Sequence, residues 1–128
     1  MDLDEALRAG MSVDGAVGIA LVDYDSGMVL GKQGGNALLD LEVAGAVNTE
    51  VVRAKMRAIE ALQLDDAIED ILITLGGQYH IIRPLENRTP GARTDSGKLF
   101  LYFVLDRSRA NLALARHQLR RLEQAVSV

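Results

Sequence analysis

Between Asp40 and Gln63 the chain has no proline and no turn-forming cluster, and its only glycine is Gly45. With Asp40 placed as an N-cap, the segment is predicted to be one long helix. Stepping its residues at about 100° spreads the apolar side chains over an arc wider than an ordinary amphipathic stripe. One lobe holds Ala44, Val47, Val51, Ala58 and Leu62, and a second holds Leu41, Val52, Met56 and Ile59. Asn48 and Lys55 sit between the lobes, seven residues apart, while Glu42, Glu50, Arg53, Arg57 and Glu60 mark the wet side. A helix lying on a sheet buries one lobe, so the other needs an apolar surface from elsewhere. This surplus constrains the fold more than any other feature of the sequence.

The rest of the chain supplies a sheet. Ala16 to Tyr24 and Lys98 to Leu105 are almost continuously apolar, the pattern of strands covered on both faces and so central in their sheet. Asp25-Ser26-Gly27 reads as a turn into a shorter strand, Met28 to Lys32. After a break at Asp65-Asp66, Ile68 to Leu75 reads as a strand with Ile71, Ile73 and Leu75 on one face. Gly76-Gly77 suggests a two-residue type I′ hairpin, which requires positive φ at both positions, leading into Tyr79 to Leu85. Glu86 to Gly97, with Pro90 and two glycines, is the longest loop. Helices are expected at Leu3 to Ala9, ended by Gly10, and at Arg109 to about Val126, with Leu112, Ala115, Leu119, Leu122 and Val126 along one side. The expected class is α+β: a five-stranded antiparallel sheet with helices, in the order αββαβββα. Hairpin pairing places Met28 to Lys32 on one edge and Ile68 to Leu75 on the other.

That second edge is apolar and proline-free, and an exposed edge of this kind aggregates unless a partner covers it. It adjoins the long helix in sequence, and each has surface left over. One two-fold axis would let both meet their symmetry mates, giving a homodimer. The residues expected at that interface are Leu41, Val47, Asn48, Val51, Val52, Lys55, Met56, Ile59, Ile71 and Ile73. Asn48 and Lys55 have the heptad spacing of polar residues that fix register between paired helices, or else reach water at the rim.

The run Val17-Gly18-Ile19-Ala20-Leu21-Val22, leading through Asp25-Ser26-Gly27 into a second strand, resembles the roadblock/LC7 family. So do Ile71-Leu72-Ile73-Thr74-Leu75-Gly76-Gly77-Gln78-Tyr79-His80-Ile81-Ile82 and Leu101-Tyr102-Phe103-Val104-Leu105-Asp106 with the helix after it. The resemblance runs from about Leu3 to Val126 and rests on topology and hydrophobic pattern rather than on a catalytic signature. It implies a single roadblock/LC7-like (profilin-like) domain over residues 1–128. It also implies a homodimer whose long helices pair and whose third strands join, acting as a non-catalytic adaptor or regulator of a Ras-like small GTPase. Two other readings are a small-ligand-sensing module, with a metabolite held between sheet and helix, and a purely structural scaffold subunit.

Composition narrows the field. The absence of cysteine removes disulfides, thiol nucleophiles and thiolate metal sites, and suits a cytoplasmic location. A net charge of −4 and 4% aromatic residues argue against nucleic-acid partners. No stretch is apolar for long enough to insert in a membrane, and the acidic start is unlike a signal peptide. The basic strip of Arg107, Arg109, Arg116, Arg120 and Arg121 reads as a solvated helix face.

No catalytic constellation emerges, and no cofactor or metal is expected. Gly27 to Lys32 departs from a P-loop in glycine spacing and has Gln33 where a magnesium-binding hydroxyl should stand. His80 and His117 lack a second ligand nearby in sequence, and the serines lack a nucleophile elbow. Asp65, Asp66, Glu69 and Asp70 lack calcium-loop spacing. Arg83, Arg88 and Arg93 are candidates for an arginine finger toward a partner's nucleotide, weighed against ordinary loop arginines.

Overall fold

The structure, a computed structural model, describes residues 2–85 and 98–125. The loop expected at 86–97, with Arg88 and Arg93, lies outside the described residues, as does Val126.

Among the described residues, eight elements follow in the predicted order: α1 (Leu3–Met11), β1 (Ala16–Asp23), β2 (Val29–Gly34), α2 (Leu41–Ala61), β3 (Ile71–Thr74), β4 (Gln78–Leu85), β5 (Leu99–Asp106) and α3 (Leu112–Ala125). The strands form one antiparallel sheet in the order β2-β1-β5-β4-β3, so the two continuously apolar strands are neighbours at its centre. Alternation along the strands sends their side chains to two separate cores. Ile19, Leu21, Ile81, Leu101, Phe103 and Leu105 pack under α1 and α3 through Leu7, Ala115, Leu119 and Leu122. Ala20, Val22, Ile82, Phe100, Tyr102 and Val104 face α2 through Leu41, Ala44 and Val52. A bulge where Leu21 pairs with Gly31 but Val22 with Val29 shifts the phase of β2, so that Gly31 lies under Leu3 and Leu7 while Val29 reaches α2.

Local chemistry sets the helix ends. Asp2 accepts from the Glu5 N–H at 2.9 Å, and Asp40 accepts from the N–H groups of Glu42 and Val43 at 3.0 and 3.3 Å. At its C-terminus α2 closes in a Schellman arrangement: Leu64 N–H bonds to Ile59 C=O while Gln63 takes φ 55°. The Asp25-Ser26-Gly27 turn forms as expected, with Gly27 at φ 82°. Arg53 ties α2 to this turn, donating to the carbonyls of Tyr24, at 2.8 Å, and Asp25.

The hairpin between β3 and β4 differs from the expectation, because neither Gly76 nor Gly77 has positive φ and the turn is therefore not type I′. Contacts from outside the hairpin hold it. The Arg107 N–H bonds to Gly77 C=O at 3.0 Å, its guanidinium donates to Leu75 C=O at 2.7 Å, and the same guanidinium lies 5.2 Å over the Tyr79 ring. β3 is also shorter than expected, beginning at Ile71 rather than Ile68.

Candidate functional site

Gly45 decides how α2 sits. A Cβ built there would lie 2.6 Å from Val29 Cγ2 and 3.2 Å from Val22 Cγ2, so the missing side chain lets the helix settle directly on β1 and β2. The helix face centred on that contact, from Leu41 through Ala44, Thr49 and Val52, is buried. Thr49 satisfies its hydroxyl by donating to Gly45 C=O at 2.9 Å.

This docking revises the two-lobe division. Leu41 and Val52, expected at an intermolecular contact, are 2% and 0% exposed inside their own subunit and offer a partner no surface. They face the sheet because Gly45 lies between them on the helix and pulls that face inward. Ile71 and Ile73 are half-buried against the same core, as is Met56. Ile59 is half-buried. The residues left outward are Val47 and Val51, 59% and 37% exposed, with Lys55 beside them. Val43, at 58%, extends the same stripe one turn toward the N-terminus. Helical geometry could have included it, since Val43, Val47 and Val51 repeat at i, i+4.

The outer face of α2 continues into a groove of about 700 Å³, walled by Val51, Ala54 and Lys55 on one side and by Ile68 and Ile71 on the other. Glu69 and Asp70 stand at its rim. It is an open surface feature, whereas the core side chains between α2 and the sheet are almost wholly buried. Beside it, Leu72 on the edge strand β3 and Leu75 just after it are about 40% exposed.

Asn48 is half-buried. Its amide donates to Ala44 C=O at 2.8 Å and lies close enough to the buried Tyr102 hydroxyl to favour the phenolate. Tyr102 Oη lies 3.0 Å from His80 Nδ1, and His80 Nε2 lies 2.9 Å from Gln78 Oε1. Because the Gln78 oxygen can only accept, the ring proton belongs on Nε2 and Tyr102 donates to Nδ1. The result is a polar chain from α2 across β5 to β4, in which burial lowers the His80 pKa from its ordinary value of 6.5. Burial raises the Tyr102 pKa, partly opposed by the Asn48 amide.

Arg83 is locked rather than poised: its Nε lies 2.6 Å from Glu123 Oε1, with side-chain exposures of 11% and 8%, and its guanidinium also donates to Glu69 C=O at 3.2 Å. Reaching a partner's nucleotide would require breaking that buried ion pair, so Arg83 is withdrawn as an arginine-finger candidate. Asp70, from the acidic cluster, pairs with Arg116 at 2.9 Å. Among the described residues no group of three or more His, Asp or Glu side chains is placed to hold a metal ion, and no helix is long and apolar enough to cross a membrane.

No family model matches the sequence, and no curated protein matches it. Solved structures match its shape. A roadblock/LC7 domain from Streptomyces avermitilis superposes with a TM-score of 0.76 at 13% identity, covering 98% of this chain and 94% of that one. The gliding protein MglB from Thermus thermophilus gives 0.74 at 15% identity over 95% and 83% of the two chains. MglC from Myxococcus xanthus gives 0.58 at 19% identity over 97% and 95%. The αββαβββα order, the single antiparallel sheet and likeness over nearly the whole chain together give this protein the roadblock/LC7 fold.

Proposed function

We propose that the chain is a single-domain, non-catalytic homodimer, cytoplasmic in location, that serves as an adaptor or regulator of a Ras-like small GTPase. The observation that carries the reading is the outward stripe Val43, Val47 and Val51, which runs into the apolar groove beside β3. About half of each valine remains to be covered, worth about 1 kcal/mol per side chain on full burial. A two-fold axis beside α2 would bury the two copies of the stripe against each other, and the neighbouring edge of β3 would add ladder hydrogen bonds. The likeness to MglB supports self-association, since one such structure is described as having a tetrameric arrangement. The burial of the described side chains between sheet and helix favours an adaptor over a ligand-sensing module, which would need an enclosed pocket there.

The first test is the mass of the wild-type chain by multi-angle light scattering at micromolar concentration, beside Val51→Glu. The expected result is a dimer for the wild type and a folded monomer for the variant, because the substitution places one carboxylate from each protomer near the axis. A monomeric wild type overturns the reading. Binding to a purified Ras-like GTPase, loaded in turn with GDP and a non-hydrolysable GTP analogue, then separates a regulator from a purely structural subunit.

A further inference from the structure

On the sheet face opposite α2, α3 turns a second surface outward. Leu114, His117, Gln118 and Arg121 follow one another at i, i+3, i+4 and i+7, a single stripe beside the row that packs into the core. Across from it stand Ser12 and Val13, from the turn after α1, and between the two walls lies a cleft of about 410 Å³. Arg109 and Asn111 close one end.

The arginines of this region divide in two. Arg83, Arg107 and Arg116 are committed to Glu123, to the β3–β4 turn and to Asp70. Arg109 feels the Asp106 carboxylate only at a distance, and Asp106 already accepts from the N–H and hydroxyl of Ser108. Among the described residues, the side chains of His117, Gln118 and Arg121 have no hydrogen-bond or ion-pair partner. Leu114, between them, is 62% exposed. A chain of net charge −4 therefore gathers uncommitted cations, an amide and an exposed leucine around one concavity.

We infer that this cleft binds a short acidic peptide segment of a partner protein, with carboxylates on Arg109 and Arg121 and one aliphatic side chain against Leu114 and Val13. The chemistry selects this occupant over others. Guanidinium groups match carboxylates with paired hydrogen bonds, the Gln118 amide suits a peptide backbone, and the leucine supplies an anchor that an inorganic anion or a phosphate chain would not use. Among the described residues no Phe, Tyr or Trp ring lines the cleft for stacking on a base. The site goes beyond the self-association proposed above and does not depend on it. α2 lies on the other face, so pairing through α2 would leave one such cleft open on each protomer.

The test is a two-dimensional NMR titration of the ¹⁵N-labelled chain with a blocked Glu-Glu-Leu-Glu-Glu peptide. Its Gln-Gln-Leu-Gln-Gln counterpart and inorganic phosphate serve as separate arms. The expected result is shifts confined to residues 12–14 and 109–121, saturating in the sub-millimolar range and weakening with salt. Arg109→Glu and Arg121→Glu should each weaken binding about tenfold or more, the loss of one charge-assisted contact, while leaving the melting temperature unchanged because both side chains are exposed. Leu114→Ser should weaken it less. Absence of shifts at millimolar peptide, equal shifts with the glutamine peptide, or the same shifts with phosphate alone would each overturn the assignment. Light scattering on the same samples reports dimerisation separately, so failure of one proposal is distinguishable from failure of the other.

Discussion

The Arg83–Glu123 pair makes a sharp test of how α3 is held to the sheet. Glu123→Leu keeps volume but leaves the Arg83 guanidinium buried, with the Glu69 carbonyl as its remaining acceptor. Removing one partner of a buried pair costs about 3–5 kcal/mol, because the surviving charge stays desolvated. Arg83 retains one hydrogen bond, so the lower end applies: about 3 kcal/mol, or about 10 °C in melting temperature for a chain of this length. Arg83→Met should also destabilise, since it removes the 2.6 Å charge-assisted bond made to a carboxylate that is 8% exposed. The double variant places methionine against leucine and should recover most of the loss, giving a coupling energy of about 2 kcal/mol or more. Urea denaturation of the four proteins, with slopes compared to confirm two-state behaviour, measures each term. Additive single losses, or a Glu123→Leu cost below about 1 kcal/mol, would refute the claim that desolvation dominates here.

The other predictions concern the α2 face. Gly45→Val should destabilise by about 2 kcal/mol, because overpacking against Val29 and Val22 outweighs the gain in helix propensity, and a wild-type urea midpoint would refute the close-approach argument. Burial lowers the His80 pKa below 6.5, so at low pH the unfolded chain takes up a proton that the folded one resists. That stability contribution is complete above the unfolded value and is lost as pH falls through the folded one. The wild type should therefore lose more melting temperature than His80→Gln between about pH 8 and about pH 5, and equal losses would contradict it. Val51→Glu, by light scattering, reports on the α2 stripe.

Patterns read over short stretches carried much of this fold. The two continuously apolar strands had to be central, because only a strand covered on both faces can be apolar at successive positions. The Asp40 cap and the absence of breakers over the following six turns fixed the long helix. The width of its apolar arc showed that one sheet contact would not use all of it. The Gly76-Gly77 turn failed as a local prediction because its conformation is imposed by Arg107, distant in sequence and adjacent in space.

Tertiary structure alone decided which side of the long helix faces inward. A helical wheel gives angles between side chains but no absolute direction, and the direction came from Gly45 meeting Val22 and Val29. That contact took Leu41 and Val52 out of the candidate surface and left Val43, Val47 and Val51 on it. The same limit applies to the arginines, which look alike in sequence. Only packing separates Arg83, held by a carboxylate forty residues away, from Arg121 at the edge of an open cleft, because charge is a property of the residue and its availability a property of its neighbours.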